Sequence, residues 1–216
     1  MKIFLIVAIV FFSVALANSQ NTFTPETSFG VKLGGSISKV SFDPLIEQEY
    51  KSGILGGLVF RHISQKSLGI QIELNYLEAG WSENLEPPNE YSRRLNYIQL
   101  PFMSHFNIGG GKTRLFFNLG PYVSYLLSDS EKVNLISEEE IKEHYGKDLN
   151  AQLEYGICGG MGFSRYFSFG IFQIEGRVNQ SLINIFKSNS EPFDGSLNQI
   201  GEISVSYLFD FRDEKK

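Results

Sequence analysis

From Leu68 to Tyr76 the chain alternates almost without fault: Leu68, Ile70, Ile72, Leu74 and Tyr76 form one row, Gly69, Gln71, Glu73 and Asn75 the other. A period of two predicts a β-strand with unlike faces. The same period recurs and predicts eight strands: Phe29–Val40, Gly53–Ile63, Ser67–Trp81, Leu95–Ile108, Arg114–Leu127, Glu154–Ser164, Phe169–Gln180 and Ile200–Phe211. In the last of them Ile203, Val205, Tyr207, Phe209 and Phe211 alternate with Glu202, Ser204, Ser206, Leu208 and Asp210. Strands of about 10 to 12 residues exceed the usual globular strand of about 5 or 6 and match a tilted strand that crosses a bilayer.

The links carry a second regularity. Strands two and three, four and five, and six and seven are joined by the short stretches SQKS, GGGKT and SRYFS. The other links are long: Phe42–Ser52, Glu78–Arg94, Ser128–Leu153 and Leu182–Gln199. This strict alternation is expected of an outer-membrane barrel, with tight periplasmic turns, long extracellular loops and both chain ends in the periplasm. The predicted fold is all-β, an eight-stranded antiparallel up-and-down transmembrane β-barrel.

The rows assign the faces. Lys32, Arg61, Glu73, Gln99, Glu175, Arg177 and Glu202 lie in polar rows together with many glycines and serines. The interior of an eight-stranded barrel is only wide enough for side chains. There these opposite charges can pair, which makes buried charge tolerable, and the glycines leave room for the long side chains. The apolar rows then face lipid. The competing fold is a soluble secreted barrel of the lipocalin kind, with the apolar row turned inward around a small molecule. The continuity and aromatic content of the apolar rows, and the small residues of the polar ones, favour the membrane.

Composition changes this picture little. Of 216 residues, 42% are hydrophobic and 14% aromatic, enough for an ordered structure. A mean hydropathy of −0.10 resembles that of a soluble protein, but only every second residue of a barrel strand meets lipid. The net charge of −5 lacks the basic stripe of a nucleic-acid binder, so no nucleic-acid partner is expected. The single cysteine, Cys158, allows no intramolecular disulfide or multi-cysteine metal site and reads as a packed residue. At the N-terminus Met1-Lys2 precedes the apolar run IFLIVAIVFFSVALA, which ends in Ala15-Leu16-Ala17. The run is shorter than the about 20 residues of a spanning helix and predicts a signal peptide over residues 1–20, cleaved between Ala17 and Gln20. The barrel would occupy 21–211 and a polar tail 212–216.

Candidate chemistry is sparse. His62, His105 and His144 lie on three separate segments with no serine or aspartate at a telling spacing. A barrel-embedded enzyme would carry its groups at the rim, but ordinary strand positions account for these histidines. Glu73, Glu175 and Glu202 have Lys32, Arg61 and Arg177 as structural partners. With no phosphate loop or metal signature, neither cofactor, metal nor catalysis is expected. The most distinctive surface is Ser128–Leu153, where SEEEIKEHYG sets Ser137 and Glu140 at capping-box spacing and stops at Gly146, predicting a helix of about two turns. Seven acids, among them Glu138, Glu139, Glu140 and Glu143, against three lysines give this loop a net −4. That suits docking of a cationic ligand, a divalent ion bridging to lipopolysaccharide, or a partner protein; a merely solvated loop explains the same acids. The loop Glu78–Arg94, with Trp81 and Tyr91, is the second candidate contact surface.

Two stretches also resemble a family. LNYIQLPFMSHF is similar to the Tyr-x-Glu/Gln-x-Pro strand, and FNLGPYVSYLLS to the Gly-Pro-Tyr strand, of the PorT-like outer-membrane β-barrel proteins. GVKLGGSIS, IQIELNYLEAGW and ISVSYLF fall where that family has its first, third and last strands. The resemblance spans the mature chain and implies a barrel in a Gram-negative outer membrane, among lipid and lipopolysaccharide, with a link to protein secretion or transport through the family's founding member. It implies no assigned activity. Such barrels often finish on an aromatic residue recognised by the outer-membrane assembly machinery; here Phe211 is followed by RDEKK, a tail expected either to weaken that signal or merely to displace it. The function expected is structural, or that of an interaction platform using the extracellular loops.

Overall fold

The computed structural model describes residues 23–83, 85–86, 88–135, 145–149, 152–186 and 195–211; the segment read as a signal peptide and the polar tail lie outside them. Eight strands follow one another: β1 (Glu26–Asp43), β2 (Gln48–Gln65), β3 (Leu68–Glu83), β4 (Glu90–Ile108), β5 (Thr113–Asn134), β6 (Leu153–Phe167), β7 (Gly170–Asn184) and β8 (Gly195–Asp210). Each pairs antiparallel with the next, and β1 closes on β8 in continuous register from Ser28↔Asp210 to Asp43↔Gly195. Closure leaves no unpaired sheet edge, which a strand needs where no water can satisfy its backbone.

Outside the wall stand Phe29, Val31, Leu33 and Ile37 of β1, Leu100, Phe102 and Phe106 of β4, Ile157, Met161 and Phe163 of β6, and Ile203, Val205 and Phe209 of β8. Leu33 is 71% exposed while its neighbour Lys32 is 1% exposed. The apolar rows therefore face outward and the lipocalin alternative, which needs them inward, is set aside. Tyr50, Tyr125 and Tyr155 mark the loop end of this band, and Phe167, Phe169, Phe172 and Phe209 the turn end, as aromatic girdles do at the two interfaces of a membrane barrel.

The strands are longer than the sequence pattern predicts, from 15 residues in β6 and β7 to 22 in β5. At about 3.3 Å per residue and a tilt of about 40°, β5 climbs about 55 Å, roughly twice the apolar band of a membrane barrel. The excess lies at the loop end. Most of the expected loops Phe42–Ser52 and Glu78–Arg94, and both ends of Leu182–Gln199, are strand; β1 and β2 are separated by residues 44–47, β3 and β4 by 84–89, and β7 and β8 by 185–194. Pattern reading misses these extensions because the apolar row changes face there. In β1 the inward row runs Lys32, Ser36, Ser38 and then Val40, Phe42; in β3 it runs Glu73, Asn75 and then Leu77, Ala79, Trp81. Above the membrane the barrel is built like a soluble one, apolar inside and polar outside.

Gly80 secures the extension. Its φ of +137° is rarely adopted by an L side chain, and a Cβ there would meet the Arg93 carbonyl oxygen at 2.0 Å; its own carbonyl accepts from Ser38 Oγ at 2.9 Å. Gly80→Ala is expected to cost about 3 kcal/mol and to shift the denaturation midpoint of vesicle-embedded protein, followed by fluorescence of Trp81, the chain's one tryptophan. An unchanged midpoint would show that the β3–β4 pairing does not depend on this close approach.

Candidate functional site

The alternation of β1, β3, β7 and β8 aims Lys32, Glu73, Glu175, Arg177 and Glu202 into one level of the lumen, where all are buried. Arg177 grips Glu73 with both ends of its fork, Nη1 to Oε2 at 2.8 Å and Nη2 to Oε1 at 2.6 Å, and reaches Glu175 Oε2 at 2.9 Å. Lys32 Nζ lies 3.1 Å from Glu73 and 3.6 Å from Glu202. Gln71 and Asn75 also donate to Glu73, at 2.7 and 2.8 Å; Asn118 donates to Glu175 at 3.0 Å, and Asn179 donates to Glu202. Nearly every carboxylate oxygen is thus met by a cation or an amide, the condition under which buried charge persists. Glycine supplies the space: a Cβ at Gly160 would stand 2.7 Å from Glu175, and one at Gly156 2.6 Å from the Tyr122 ring.

Two residues read into this network stand apart from it. Arg61 belongs to a lower level, near the short turns, where it donates to Gln173 at 3.0 Å, Ser164 at 3.3 Å and Tyr166 at 3.5 Å. The same level holds Arg114, bidentate to Glu26 at 3.0 Å and stacked 4.2 Å over the Tyr166 ring. Glu26 and Tyr166 went unread because they fall outside the predicted strands, although Tyr166 keeps the phase of Ser164. Gln99 faces the lumen, but neither atom of its amide meets a partner among the described residues. His105 is buried, with Nδ1 2.7 Å from Asn118 Oδ1, and His62 sits at the turn end, 2.9 Å from Thr27 Oγ1; His144 lies outside the described residues. Cys158 packs with Met103 and Tyr122.

Above the charged level the lumen turns apolar. Tyr97, Asn198, Glu154 and Tyr122 form a hydrogen-bonded shelf, with Asn198 Nδ2 donating to Tyr97 Oη at 3.0 Å and Glu154 Oε2 at 2.9 Å, and Tyr122 Oη donating to Glu154 Oε1 at 3.1 Å. Over it lie Val40, Phe42, Leu77, Trp81, Tyr91, Leu95 and Phe186. Trp81 meets Phe42 edge-on at 5.5 Å and Phe186 at 6.2 Å. This corrects the reading of Trp81 and Tyr91 as a loop contact surface: both are strand residues on the inward row and 0% exposed. An aromatic residue in a presumed loop reads as available, whereas the face inversion buries it.

The long β5–β6 link is tied down where it is described. Tyr145 stacks on Tyr91 at 3.9 Å and donates to Glu83 at 3.0 Å. The Gly146 amide donates to Glu131 at 3.0 Å, and Arg93 donates to the Lys147 carbonyl at 2.8 Å and to Asp129. Glu138, Glu139, Glu140 and Glu143, and the helix expected around them, lie outside the described residues.

A family model described as outer membrane protein beta-barrel domain matches residues 18–187. No curated protein matches the sequence significantly. Among solved structures the fold is similar to the outer membrane protein OprG from Pseudomonas aeruginosa, at 10% identity over 85% of this chain and 96% of that one, with a TM-score of 0.52. Ail, the attachment invasion locus protein of Yersinia pestis, aligns at 11% identity over 85% of this chain and 99% of that one, with a TM-score of 0.45. At such identities the likeness concerns the fold alone.

Proposed function

The chain belongs to the outer membrane protein beta-barrel domain family and resides in the outer membrane, and from that premise we propose that it is a non-conducting barrel whose role is structural or exercised by contact through its extracellular face. The observation that carries the proposal is the Arg177–Glu73 pair, which joins β7 to β3 straight across the lumen between two fully buried side chains. An aromatic stopper stands above it. A large-solute pore belongs to barrels of about 16 strands, and here two packed levels oppose even small solutes. Reconstituted into planar bilayers, the protein is expected to give no stepwise conductance, and liposomes that carry it are expected not to swell in small sugars. Sustained single-channel steps from the purified protein would overturn the proposal.

The contact surface of this reading excludes Trp81 and Tyr91. It consists of the outward residues of the extension, such as Arg94 and the exposed Lys132–Glu90 pair at 2.7 Å, together with the acidic segment of Glu138, Glu139, Glu140 and Glu143. The proposal includes no catalytic role, a reading supported by the separation of His62 and His105, which lie beside Thr27 and Asn118 on different levels. A finer placement among PorT-like proteins, and with it an accessory part in secretion, is supported by the order of the Tyr-x-Gln-x-Pro and Gly-Pro-Tyr strands. The assembly machinery is the partner proposed for the closing strand, where the Phe211 amide donates to Thr27 at 3.0 Å.

A further inference from the structure

At the periplasmic rim, between the β4–β5 turn and the β6–β7 turn, lies a cleft of about 500 Å³ lined by Lys112, Arg114, Arg165, Tyr166, Phe167 and Ser168. Three of these are cations. Glu26 pairs with Arg114, and Lys112 and Arg165 have no carboxylate partner among the described residues. Arg165 belongs to the lipid-facing row of β6, after Tyr155, Ile157, Met161 and Phe163, where a guanidinium in hydrocarbon would be costly. Its position is fixed: Nη1 donates to Thr113 Oγ1 at 2.6 Å, and the guanidinium lies 5.9 Å from the Phe167 ring centre. Phe167 packs against Phe169 at 5.3 Å and Phe172 at 5.7 Å, and all three rings are exposed to the surroundings of the barrel. Uncompensated cations beside an exposed phenyl cluster, at the edge of the apolar band, match the level where phosphate headgroups meet acyl chains.

We propose that this cleft binds an anionic phospholipid of the periplasmic leaflet, its phosphate held between Lys112 and Arg165 and its acyl chains lying on Phe163, Phe167 and Phe172. A soluble anion would need the cations but not the exposed rings, and the rings continue the lipid-facing row. The site fixes the depth of the barrel at one point of its girth, beside a β4–β5 turn whose glycines leave open space: a Cβ at Gly109, Gly110 or Gly111 would touch nothing within 4 Å.

The test is native mass spectrometry of the full chain in nonionic detergent, titrated with phosphatidylglycerol or phosphatidylcholine. The first phosphatidylglycerol is expected to bind about tenfold more tightly than phosphatidylcholine, and Lys112→Gln and Arg165→Gln to weaken it about fivefold each. Lys66→Gln, on the β2–β3 turn outside the cleft, is expected to leave it unchanged, and millimolar inorganic phosphate is expected not to displace it. Retention of the preference in the double variant, or an equal loss in Lys66→Gln, overturns the site in favour of diffuse rim charge. Displacement by inorganic phosphate overturns the lipid in favour of a soluble anion. The unboiled band shift reports folding of each variant, and should the double variant not fold, Arg165→Lys, which keeps charge but loses the fork, decides through the same preference.

Discussion

Arg177→Met is expected to destabilise the barrel more than any other single substitution at the charged level, by about 3–5 kcal/mol, the usual consequence of stranding buried partners. The level holds two cations, Lys32 and Arg177, against three carboxylates, Glu73, Glu175 and Glu202. Removing Arg177 leaves one lysine facing three carboxylates, with both ends of the Glu73 carboxylate deprived of the fork that held them. Glu202→Gln acts in the opposite sense. It balances the formal charges, and an amide still fits beside Asn179 and Lys32, so its cost should stay near 1 kcal/mol. Glu73→Gln falls between, because Gln71, Asn75, Lys32 and Arg177 all converge on that carboxylate. Arg177→Lys also falls between, since a point charge cannot serve two carboxylates through a planar fork. Chemical unfolding from vesicles, read by far-ultraviolet circular dichroism of the whole barrel, gives the order. The double variant Arg177→Met/Glu175→Gln should recover part of the loss, because the two side chains are coupled. Equal effects of Arg177→Met and Glu202→Gln would show that water, not ion pairing, governs this level.

The membrane-embedded part of this molecule was legible residue by residue because one physical rule applies to it without interruption. Each strand there passes between lipid and a crowded polar lumen, so Leu33 beside Lys32, or Ile72 beside Glu73, states its own direction. The pairing of distant residues was less legible. That Arg177 would meet Glu73, or that Arg61 would descend to Gln173 and Tyr166 instead, depends on barrel stagger, and spacing along one strand does not encode stagger. The rims were read wrongly for a third reason. Val40, Phe42, Trp81, Tyr91 and Leu95 keep the period of two but shift the apolar row to the other face, and a reader following the lipid-facing row sees the pattern end. The signal was present in Tyr91, Leu95 and Tyr97, which hold the phase of Gln99. It becomes visible once a strand is allowed to leave the membrane and continue as a soluble barrel.

That continuation makes a separate stability unit, and Trp81→Ala should expose it. Around Lys32 and Leu33 the surrounding lipid enforces the strand; between Leu77 and Trp81 inward packing does so, with cross-strand contacts such as Glu78–Arg94 and Ser38–Gly80 in place of lipid. Trp81 is the largest fully buried side chain, set among Phe42, Phe186 and Tyr91 at ring distances of 5.5, 6.2 and 6.4 Å. Truncating a buried tryptophan typically costs about 3–5 kcal/mol. The cost should fall on the extension rather than the whole barrel, because the ion-paired level and the lipid-facing rows lie below it and share none of its contacts. Phe186, drawn in from the β7–β8 link, loses its edge-on partner, and the Tyr91–Tyr145 stack that tethers the β5–β6 link loses its backing. The expected result is faster amide exchange over residues 77–83 and 91–97, and new tryptic cleavage at Arg93, Arg94 and Lys132 in intact vesicles, while the unboiled gel shift is retained. Phe209→Ala, a truncation of an aromatic residue on the lipid face, should do neither. If Trp81→Ala instead abolishes the gel shift, the extension and the membrane barrel unfold as one, and the aromatic stopper is part of what closes the barrel rather than a cap built on top of it.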